Sequence, residues 1–491
     1  MPDDFEVLIT ANEAWPAFER AVLNARQEVI AGFRIFDMRT KLRSAEARKI
    51  GDDWFDLLAH VANNGVSVDL TVSDFDPVVG TDLHKMAWST VRQGKALAEI
   101  VNADAGAVSV RAHLHPAQAG ALPWISLLPA VLKRRSSRLS ALDPDERTRQ
   151  AVGLDLDDLP QIYTVTHHQK LAVIDGEILY LGGLDLNERR WDTQSHDLPA
   201  SETWSDVQVL MRGPEAAEAR AHLQTFAQAC AGTRAPSKAQ HLKRTLSAPR
   251  RLQFPFISPR SVLTEIETAH FDAFKRARRQ IYIETQFFRS SRIANALADA
   301  AAQNSDLQLM VILPSLPEEL AIHDQSDVET RYGMALQKAA MDIIRHGFEN
   351  RLTLATPVRP SLAARDTKKT LCGSAIIHVH NKVLIADDDF VLIGSANLNG
   401  RSLRWDTEVA ISTDTPARVA HARQKLFQHW WFDALPAEAM NVVQQRQWWH
   451  DQIARNGVAR PENRTGFLVP HDPANHADMA QPLPGVTEDL V

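Results

Sequence analysis

The sequence lacks several features that would place it in other classes of protein. Only Cys230 and Cys372 are cysteines among its 491 residues, which excludes a disulfide framework and argues against a cysteine-rich metal site. No stretch approaches the roughly 20 uninterrupted apolar residues of a membrane-spanning helix. The acidic start, MPDDFEVLIT, lacks the basic segment of a secretory signal. We therefore predict a cytoplasmic or peripheral membrane protein, with export by a route without a cleaved signal left open.

Positive charge is not in excess either. The chain has 54 Lys and Arg against 61 Asp and Glu, a formal net charge of -7. A protein that grips a nucleic-acid backbone over its whole surface needs the opposite balance, so no nucleic-acid partner is expected, although a local basic groove stays open. The hydrophobic fraction of 44% is ordinary for a soluble globular protein.

The chain does contain an internal duplication. A helix near 12–26 and the apolar strand 28–36 correspond to a helix near 261–279 and the strand 281–288. Further helix–strand units correspond in the same order, with strands at 66–72 and 108–114 in the first copy and at 307–313 and 351–358 in the second. Alternating helices and strands indicate an α/β fold. We predict two tandem repeats, each a mixed, mostly parallel sheet flanked by helices, packed about a pseudo-twofold axis.

The duplication also predicts the domain boundaries. The N-terminal repeat is expected over 1–235 and the C-terminal repeat over 261–455. Residues 236–260, rich in Pro, Ser and basic residues, are predicted to be a linker. Residues 456–491 are polar and Pro-rich, and are predicted to be a flexible tail.

The first repeat carries an insertion, AGALPWISLLPAVLKRRSSR (119–138), that the second repeat lacks. One interpretation is an element that touches a bilayer, with Trp124 inserted and Lys133, Arg134 and Arg135 on lipid headgroups. The other is a packed lid or surface loop over the active site, which two prolines in the segment favour. Both interpretations stay open.

Each repeat then continues with a strand that begins His-x-Lys. The segments are HHQKLAVIDGEILYLGGLDLN and HVHNKVLIADDDFVLIGSANLN. In both, an Asp follows the His by seven residues, a Gly by fourteen and a second small residue by fifteen. The matched positions are His168, Lys170 and Asp175 in the first repeat and His380, Lys382 and Asp387 in the second. A shared frame at matching places of two repeats indicates function rather than accident.

The geometry of each motif follows from strand periodicity. Residues two apart share a face of a strand, so each His and its Lys point the same way. Asp175 and Asp387 begin turn sequences, which predicts hairpins that place position 168 opposite about 184 and position 380 opposite about 396. The returning strands bring small or amide-bearing residues beside each pair. These candidate substrate-binding residues are Gly183, Asp185, Ser395 and Asn397.

If the repeats pack about a pseudo-twofold axis, two imidazoles and two ammonium groups meet in one pocket. Lysine suits an anionic phosphoryl oxygen, and one imidazole can attack phosphorus while the other protonates the leaving alcohol and then deprotonates water. Each imidazole needs an acceptor on its far nitrogen, and Asp206 and Glu408 are the candidates. Glu284 and Gln286, in IYIETQFF, are candidates to approach the pocket from a strand end.

These residues resemble the paired His-Lys-Asp motifs of the phospholipase D superfamily, from roughly residue 5 to residue 435. HHQKLAVID with GGLDLNERRWD looks like the first motif of the eukaryotic type, and GSANLNGRSL looks like the close of the second. The resemblance implies that His168 is the nucleophile and His380 the general acid and base. It also implies that Lys170, Lys382 and Asn397 hold phosphate, and that no metal or other cofactor is required.

The sequence departs from that pattern in places. Asp185 stands where many members of the superfamily have Asn, and Gly183 stands where the second motif has Ser395. No lipid-binding accessory domain of the eukaryotic enzymes is visible, so membrane recruitment would fall to the catalytic body.

The resemblance implies a phospholipase D that hydrolyses glycerophospholipids at a membrane surface to phosphatidic acid and a free headgroup. Its intermediate would be a phosphohistidine, and an alcohol in place of water would give transphosphatidylation. The alternatives are a cardiolipin-synthase-like phosphatidyltransferase, a nuclease of the same superfamily, and a catalytically dead lipid-binding scaffold, against which the four intact His and Lys argue. Since one chain carries both motifs, a monomer could suffice; headgroup preference stays open.

Overall fold

The computed structural model describes residues 4–77, 80–102, 105–118, 120–140, 163–252, 259–321, 328–472, 479–483 and 487–490. Its strands form two sheets. The first sheet contains β1 (Phe5–Ile9), β2 (Glu28–Phe33), β3 (Ser67–Ser73), β4 (Val108–His113), β5 (Lys170–Ile174), β6 (Ile178–Gly182) and β7 (Val207–Arg212). The second contains β8 (Leu242–Ala248), β9 (Arg260–Thr264), β10 (Gln280–Thr285), β11 (Gln308–Ile312), β12 (Leu352–Leu362), β13 (Thr370–Leu371), β14 (Ser374–Ile376), β15 (Lys382–Ala386), β16 (Phe390–Gly394), β17 (Glu408–Thr413) and β18 (Leu468–Pro470).

Helices flank both sheets. The α-helices of the first half are Thr10–Leu23, Trp54–Asn63, Thr81–Ile100, Ala121–Ser140, Pro214–Leu223 and Phe226–Cys230. Those of the second half are Glu265–Arg276, Ser291–Gln303, Glu318–Ala321, Val328–Phe348, Gly400–Arg404, Pro416–His429, Ala437–Met440 and Gln445–Val458. The sequence therefore predicted the α/β class and the helix-flanked sheets correctly.

The strand order shows the duplication directly. The first sheet runs β1-β7-β6-β5-β2-β3-β4, and the second contains the run β8-β17-β16-β15-β10-β11-β12. Each strand of the first run has its counterpart at the same place in the second, which is the arrangement that two copies of one unit produce.

The prediction that the sheets are mostly parallel is wrong. β2, β3 and β4 pair in parallel, as do β10, β11 and β12. The hairpin strands β5–β7 and β15–β17 join them antiparallel, and so do β1 and β8, which lie beyond β7 and β17. Two successive hairpins after the last crossover helix turn the chain back on itself, so antiparallel pairs outnumber parallel ones.

The two sheets share one hydrophobic core. Val209 and Leu181 of the first sheet belong to the same buried cluster as Val383, Ile393 and Ile411 of the second. All five side chains are at most 3% exposed. The strands that carry the His-x-Lys motifs therefore lie in the middle of the molecule rather than at its rim, since their residues are apolar on both faces.

Two boundary predictions differ from the structure. Residues 236–260 contain β8, which pairs with β17 in the place that β1 holds in the first sheet, so this segment is more than a linker. Residues 456–491 contribute β18, which pairs with β12, so this part of the chain is not wholly a flexible tail. β8 (LKRTLSA) carries polar residues where the central strands have continuous apolar runs, and β18 is only three residues long, which is why the sequence pattern missed them.

The inserted segment also differs from its prediction. Residues 121–140 form one helix with Pro129 inside it, although the prolines argued against a regular element. Ile125 on this helix is 61% exposed. Residue 119 and the side chain of Arg134 lie outside the described residues, so the choice between bilayer contact and lid stays open.

An Asp holds each motif hairpin in place. Asp175 and Asp387 adopt φ angles of 54° and 52°, the left-handed region that Asp tolerates better than most residues. The Asp387 carboxylate accepts the backbone N–H groups of Arg278, Arg279 and Gln280, at 2.7–2.8 Å. Asp175 does the same for residues 26, 27 and 28. These contacts tie each turn to the start of the neighbouring strand.

Replacing Asp387 by alanine should therefore destabilise the protein. Three backbone donors lose their acceptor and alanine disfavours the positive φ, so we expect a loss of about 1–3 kcal/mol in the free energy of unfolding. Urea denaturation would measure it, with Asp388→Ala, an exposed change in the same turn, as the control. Equal midpoints for the two variants would contradict the structural role of Asp387.

Candidate active site

The two motif histidines are joined to the opposite repeat by backbone hydrogen bonds. The N–H of His168 donates to the carbonyl of Thr407 at 2.9 Å, and the N–H of His380 donates to the carbonyl of Ser205 at 2.8 Å. His167 also bridges Thr407, and Val379 bridges Ser205. Glu408 follows Thr407 and Asp206 follows Ser205 in the sequence. These contacts therefore place His168 beside Glu408 and His380 beside Asp206.

Each imidazole consequently meets a carboxylate from the other repeat. Nδ1 of His380 lies 2.7 Å from Oδ2 of Asp206 in a hydrogen bond. Nδ1 of His168 lies 2.9 Å from Oε1 of Glu408, but this oxygen has no aligned hydrogen-bond partner among the residues that the structure describes. The sequence predicted both carboxylates as candidates. The structure shows that each carboxylate lies beside the histidine of the other repeat.

The two lysines lie beside the histidines. Nζ of Lys170 is 3.3 Å from both ring nitrogens of His168 and donates to its backbone carbonyl at 2.6 Å. Nζ of Lys382 donates to the backbone carbonyl of His380. Both lysines are buried, so the site concentrates two cations and two imidazoles away from water.

Burial controls the protonation of this group. It lowers the pKa of His168 and of His380 well below the usual range, and the adjacent lysine acts in the same direction on each. Burial raises the pKa of Asp206 to about 7 and that of Glu408 to about 8, against the lysine charges. Burial also lowers the pKa of Lys382 to about 7, against the pull of Asp206. Neutral imidazoles with a free ring nitrogen suit nucleophilic attack and proton exchange.

Two of the predicted substrate-binding residues support the carboxylates instead. The hydroxyl of Ser395 donates to Glu408 and accepts the N–H of Val409 at 3.1 Å. At Gly183 an added Cβ would lie 2.2 Å from Oδ1 of Asp206, so only glycine fits. Both small residues thus let the carboxylates reach the histidines.

Asp185 and Asn397 occupy matching positions just after the returning strands β6 and β16 but differ in their contacts. Asp185 accepts the N–H of Ile35 at 3.0 Å and lies 4.0 Å from the guanidinium of Arg34. Asn397 is buried, and its Oδ1 has no hydrogen-bond partner among the described residues. Burying an amide oxygen without a hydrogen-bond partner lowers the free energy of unfolding. The side chain of Asn397 is therefore available to contact a bound group.

Glu284 lies beneath the second motif rather than in the pocket. It is fully buried and accepts hydrogen bonds from the Tyr282 hydroxyl, the Asn381 amide and, at 2.9 Å, the Trp430 indole N–H. The prediction that it approaches the pocket finds no contact in its support. Gln286 is buried at the end of the same strand.

Sequence reasoning missed several basic and aromatic residues near the histidines. The guanidinium of Arg190 lies 3.7 Å from the ring centroid of Trp204 and donates to Glu318 at 2.9 Å. Arg401 donates to Asp406 at 3.1 Å. Both arginines follow the motifs closely, in LNERRW and LNGRSL, and that position was the signal that could have found them.

One buried cluster beside the site has residue types that can hold a metal. Among the described residues, ligand atoms of His115, His167 and Cys230 lie within 4.8 Å of one another. Both ring nitrogens of His167 already have partners, Nδ1 of His113 and the hydroxyl of Thr407, each at 2.8 Å. His167 and Cys230 are thus joined through the hydroxyl of Thr407, whereas Nε2 of His115 has no hydrogen-bond partner among the described residues. The absence of a cofactor stays a prediction.

In the part of the chain that the structure describes, no helix is both long and apolar enough to cross a membrane. The prediction of no spanning helix agrees with this finding.

Comparison with known proteins finds similarity to a PLD-like domain and to phospholipases D. Residues 271–431 match the family model described as cardiolipin synthase, PLD-like domain. Phospholipase D1 of Homo sapiens is 30% identical over 189 residues, covering 32% of this chain and 17% of the relative. Phospholipase D alpha 1 of Carica papaya is 21% identical over 526 residues, covering 82% of this chain and 61% of the relative. The chain thus spans less than two thirds of the length of these curated relatives.

A solved structure shows the same fold. The phosphatidylserine synthase of Haemophilus influenzae Rd KW20 superposes with a TM-score of 0.53 at 12% identity, covering 93% of this chain and 94% of that one. Two matching sheets with a His-Lys pair on each define the architecture of a class of phosphodiesterases and phosphatidyltransferases. The PLD-like domain and the similarity to phospholipases D together support membership of the phospholipase D superfamily.

Proposed function

We propose that the protein is a phospholipase D, which hydrolyses glycerophospholipids at a membrane surface to phosphatidic acid and a free headgroup. The observation that carries the proposal is the meeting of two histidine–carboxylate pairs, each with a buried lysine, between the two repeats. This arrangement offers a nucleophile, a separate proton donor and two cations for the phosphate oxygens.

In the first step Nε2 of His168 attacks phosphorus and the bond to the headgroup oxygen breaks. His380, protonated on Nε2 when the anionic phosphodiester is bound, gives that proton to the headgroup oxygen, so the headgroup leaves as an alcohol and His380 becomes a neutral imidazole. Lys170 and Lys382 hold the nonbridging oxygens, on which negative charge grows in the transition state. The covalent product is a phosphatidyl group on His168.

In the second step a water molecule attacks phosphorus and gives a proton to His380. The bond between phosphorus and His168 breaks, which releases phosphatidic acid and restores both imidazoles. An alcohol that takes the place of water gives a phosphatidyl alcohol by the same proton transfers. Asp206 and Glu408 orient the imidazoles and balance their charge in both steps.

A second candidate is a phosphatidyltransferase whose acceptor is the hydroxyl of another lipid. The description of the matching family model, cardiolipin synthase, favours it. The chemistry of the first step is identical, and only the acceptor in the second step differs. A nuclease is disfavoured, because the net charge of -7 does not suit a polyanionic substrate.

A lipid-product assay tests the proposal. Vesicles of mixed phosphatidylcholine, phosphatidylethanolamine and phosphatidylglycerol with added ethanol should yield phosphatidic acid and phosphatidylethanol with the wild type. His168→Ala should yield neither, because it lacks the nucleophile. His241→Ala, a change at an exposed histidine, is the matched control and should behave as wild type.

The same assay separates the two candidates. Cardiolipin and glycerol from phosphatidylglycerol, without phosphatidic acid, would favour the transferase. If the folded wild type forms no product from any lipid, the lipid-directed proposal is wrong.

A further inference from the structure

The two motif histidines differ in their surroundings, because the ring of Trp204 contacts His380 and the matching position near His168 is Asp406. Trp204 is fully buried, and its ring lies 4.6 Å from the ring of His380 at an interplanar angle of 36°. Its indole N–H donates to Oδ2 of Asp206 at 3.2 Å. The same oxygen lies 2.7 Å from Nδ1 of His380. One side chain therefore contacts both members of the His380–Asp206 pair.

The other contacts of Trp204 fix its position. The guanidinium of Arg190 covers the indole at 3.7 Å, and Glu318 holds that guanidinium. The backbone N–H of Trp204 donates to the carboxylate of Asp192 at 2.6 Å. A close contact between aromatic rings and a cation on an aromatic face each favour a defined ring orientation. The indole ring is thus held in one orientation beside His380.

The second repeat has a different residue at the matching position. Trp204 precedes Asp206 by two residues, and Asp406 precedes Glu408 by two. The Asp406 carboxylate accepts the N–H of Thr166 at 2.8 Å and holds Arg401. The side chain of Asp406 gives His168 no aromatic contact. The Oε1 of Glu408 that lies near His168 has no aligned hydrogen-bond partner in the described part of the chain.

We propose that Trp204 is a positioning residue that holds the imidazole of His380 against the Asp206 carboxylate, for the steps in which His380 exchanges a proton with the leaving or attacking oxygen. The inference rests on the proposed phosphodiester chemistry, because it assigns part of that reaction to one of two otherwise matching histidines.

The charge of Asp206 gives the proposal a measurable signature. Burial raises the pKa of Asp206, while the charge of Lys382, the backbone N–H of Val207, the indole N–H of Trp204 and the charge of Lys170 lower it, in decreasing order of effect. The other titratable groups that face Asp206 are His380 and Tyr180. Removing the indole N–H should raise the pKa of Asp206 by about one unit. A protonated Asp206 no longer holds the Nδ1 proton of His380 as a carboxylate does.

Trp204→Phe removes the N–H and keeps an aromatic ring. The acid limb of kcat/KM for phosphatidylcholine in mixed micelles should move up by about one pH unit. The loss relative to wild type should then be up to about tenfold larger at pH 6 than at pH 8. Trp449→Phe is the matched control, because Trp449 is equally buried and loses one indole hydrogen bond, to the Ala439 carbonyl at 3.2 Å. It should keep the wild-type profile.

A second variant covers the case in which Trp204→Phe does not fold. 3-Benzothienylalanine at position 204 keeps the bicyclic shape and removes only the N–H, and it should give the same shift. A readout independent of catalysis is the proton NMR signal of Nδ1–H of His380, identified by its absence in His380→Ala. Its loss on acidification should occur about one pH unit higher without the indole N–H.

The outcomes separate the two proposals. If both Trp204 variants keep the wild-type acid limb and NMR titration, or lose activity equally at every pH, the positioning role is wrong while the phospholipase D proposal stands. If the wild type has no activity on any phosphodiester, the proposed function fails, and the NMR titration alone still decides whether Trp204 controls the His380–Asp206 pair.

Discussion

His380→Ala should still release one equivalent of nitrophenolate from a phosphatidyl-p-nitrophenol, whereas His168→Ala should release none. Nitrophenolate is a stable anion and leaves without a proton, so the first step needs only the nucleophile. The second step needs a base for water, so the phosphatidyl group should remain on His168. Steady turnover should fall about 10²–10⁴-fold in His380→Ala. Rapid-quench kinetics and mass spectrometry of the trapped protein would measure both effects.

His241→Ala again serves as the control, because its side chain is exposed and far from either motif in the chain. The contrary result is a burst from His168→Ala and none from His380→Ala, which would reverse the two roles. Absence of a burst from both variants, with a wild-type burst present, would mean that one imidazole cannot act without the other. Either result would contradict the mechanism as written.

The local features of the site could be predicted from the sequence because short-range rules fix them. Asp175 and Asp387 begin hairpin turns, and the observed pairs Leu171–Leu181 and Val383–Ile393 give the register that those turns predict. The same register places position 168 opposite 184. Since turn chemistry and strand alternation act within about ten residues, one sequence suffices to read them.

The exchange of carboxylates could not be predicted in the same way. Asp206 was named as a candidate because it follows its own hairpin, but it pairs with His380, 174 residues away. That pairing depends on the backbone bonds between the repeats at Ser205 and His380. No periodicity in either segment reports how the two sheets dock, so the partner of each histidine needed the structure.

β8 and Trp204 show two further limits. The segment LKRTLSA lacks the continuous apolar run of the central strands, yet it pairs with β17 and is fixed by the ion pair of Arg244 with Glu265. Trp204 reads in the sequence as an ordinary apolar residue before a strand. Its contact with His380 appears only when the second repeat is in place.

Lys382→Met should lower kcat/KM by about 10²–10³-fold, since it removes a fixed cation from the growing charge on phosphate. The effect should depend on pH. Burial lowers the pKa of Lys382 to about 7, so the ammonium form is present below that pH and is lost above it. The wild-type profile should thus fall on its alkaline side near pH 7, and the variant should lose this limb. Lys275→Met, at an exposed helix position, is the control.

Stability gives a second test of the same lysine that does not require substrate. Between pH 7 and the ordinary lysine pKa of about 10.4, the unfolded chain holds this proton and the folded protein does not. The free energy of unfolding should then rise with pH across that window, by up to about 1.4 kcal/mol per unit from this group. Lys382→Met should remove that contribution, and Lys275→Met should keep it. If Lys382→Met keeps both the alkaline limb and the stability slope, Lys382 is an ordinary charged lysine in the folded protein, and the alkaline loss of activity belongs to another group.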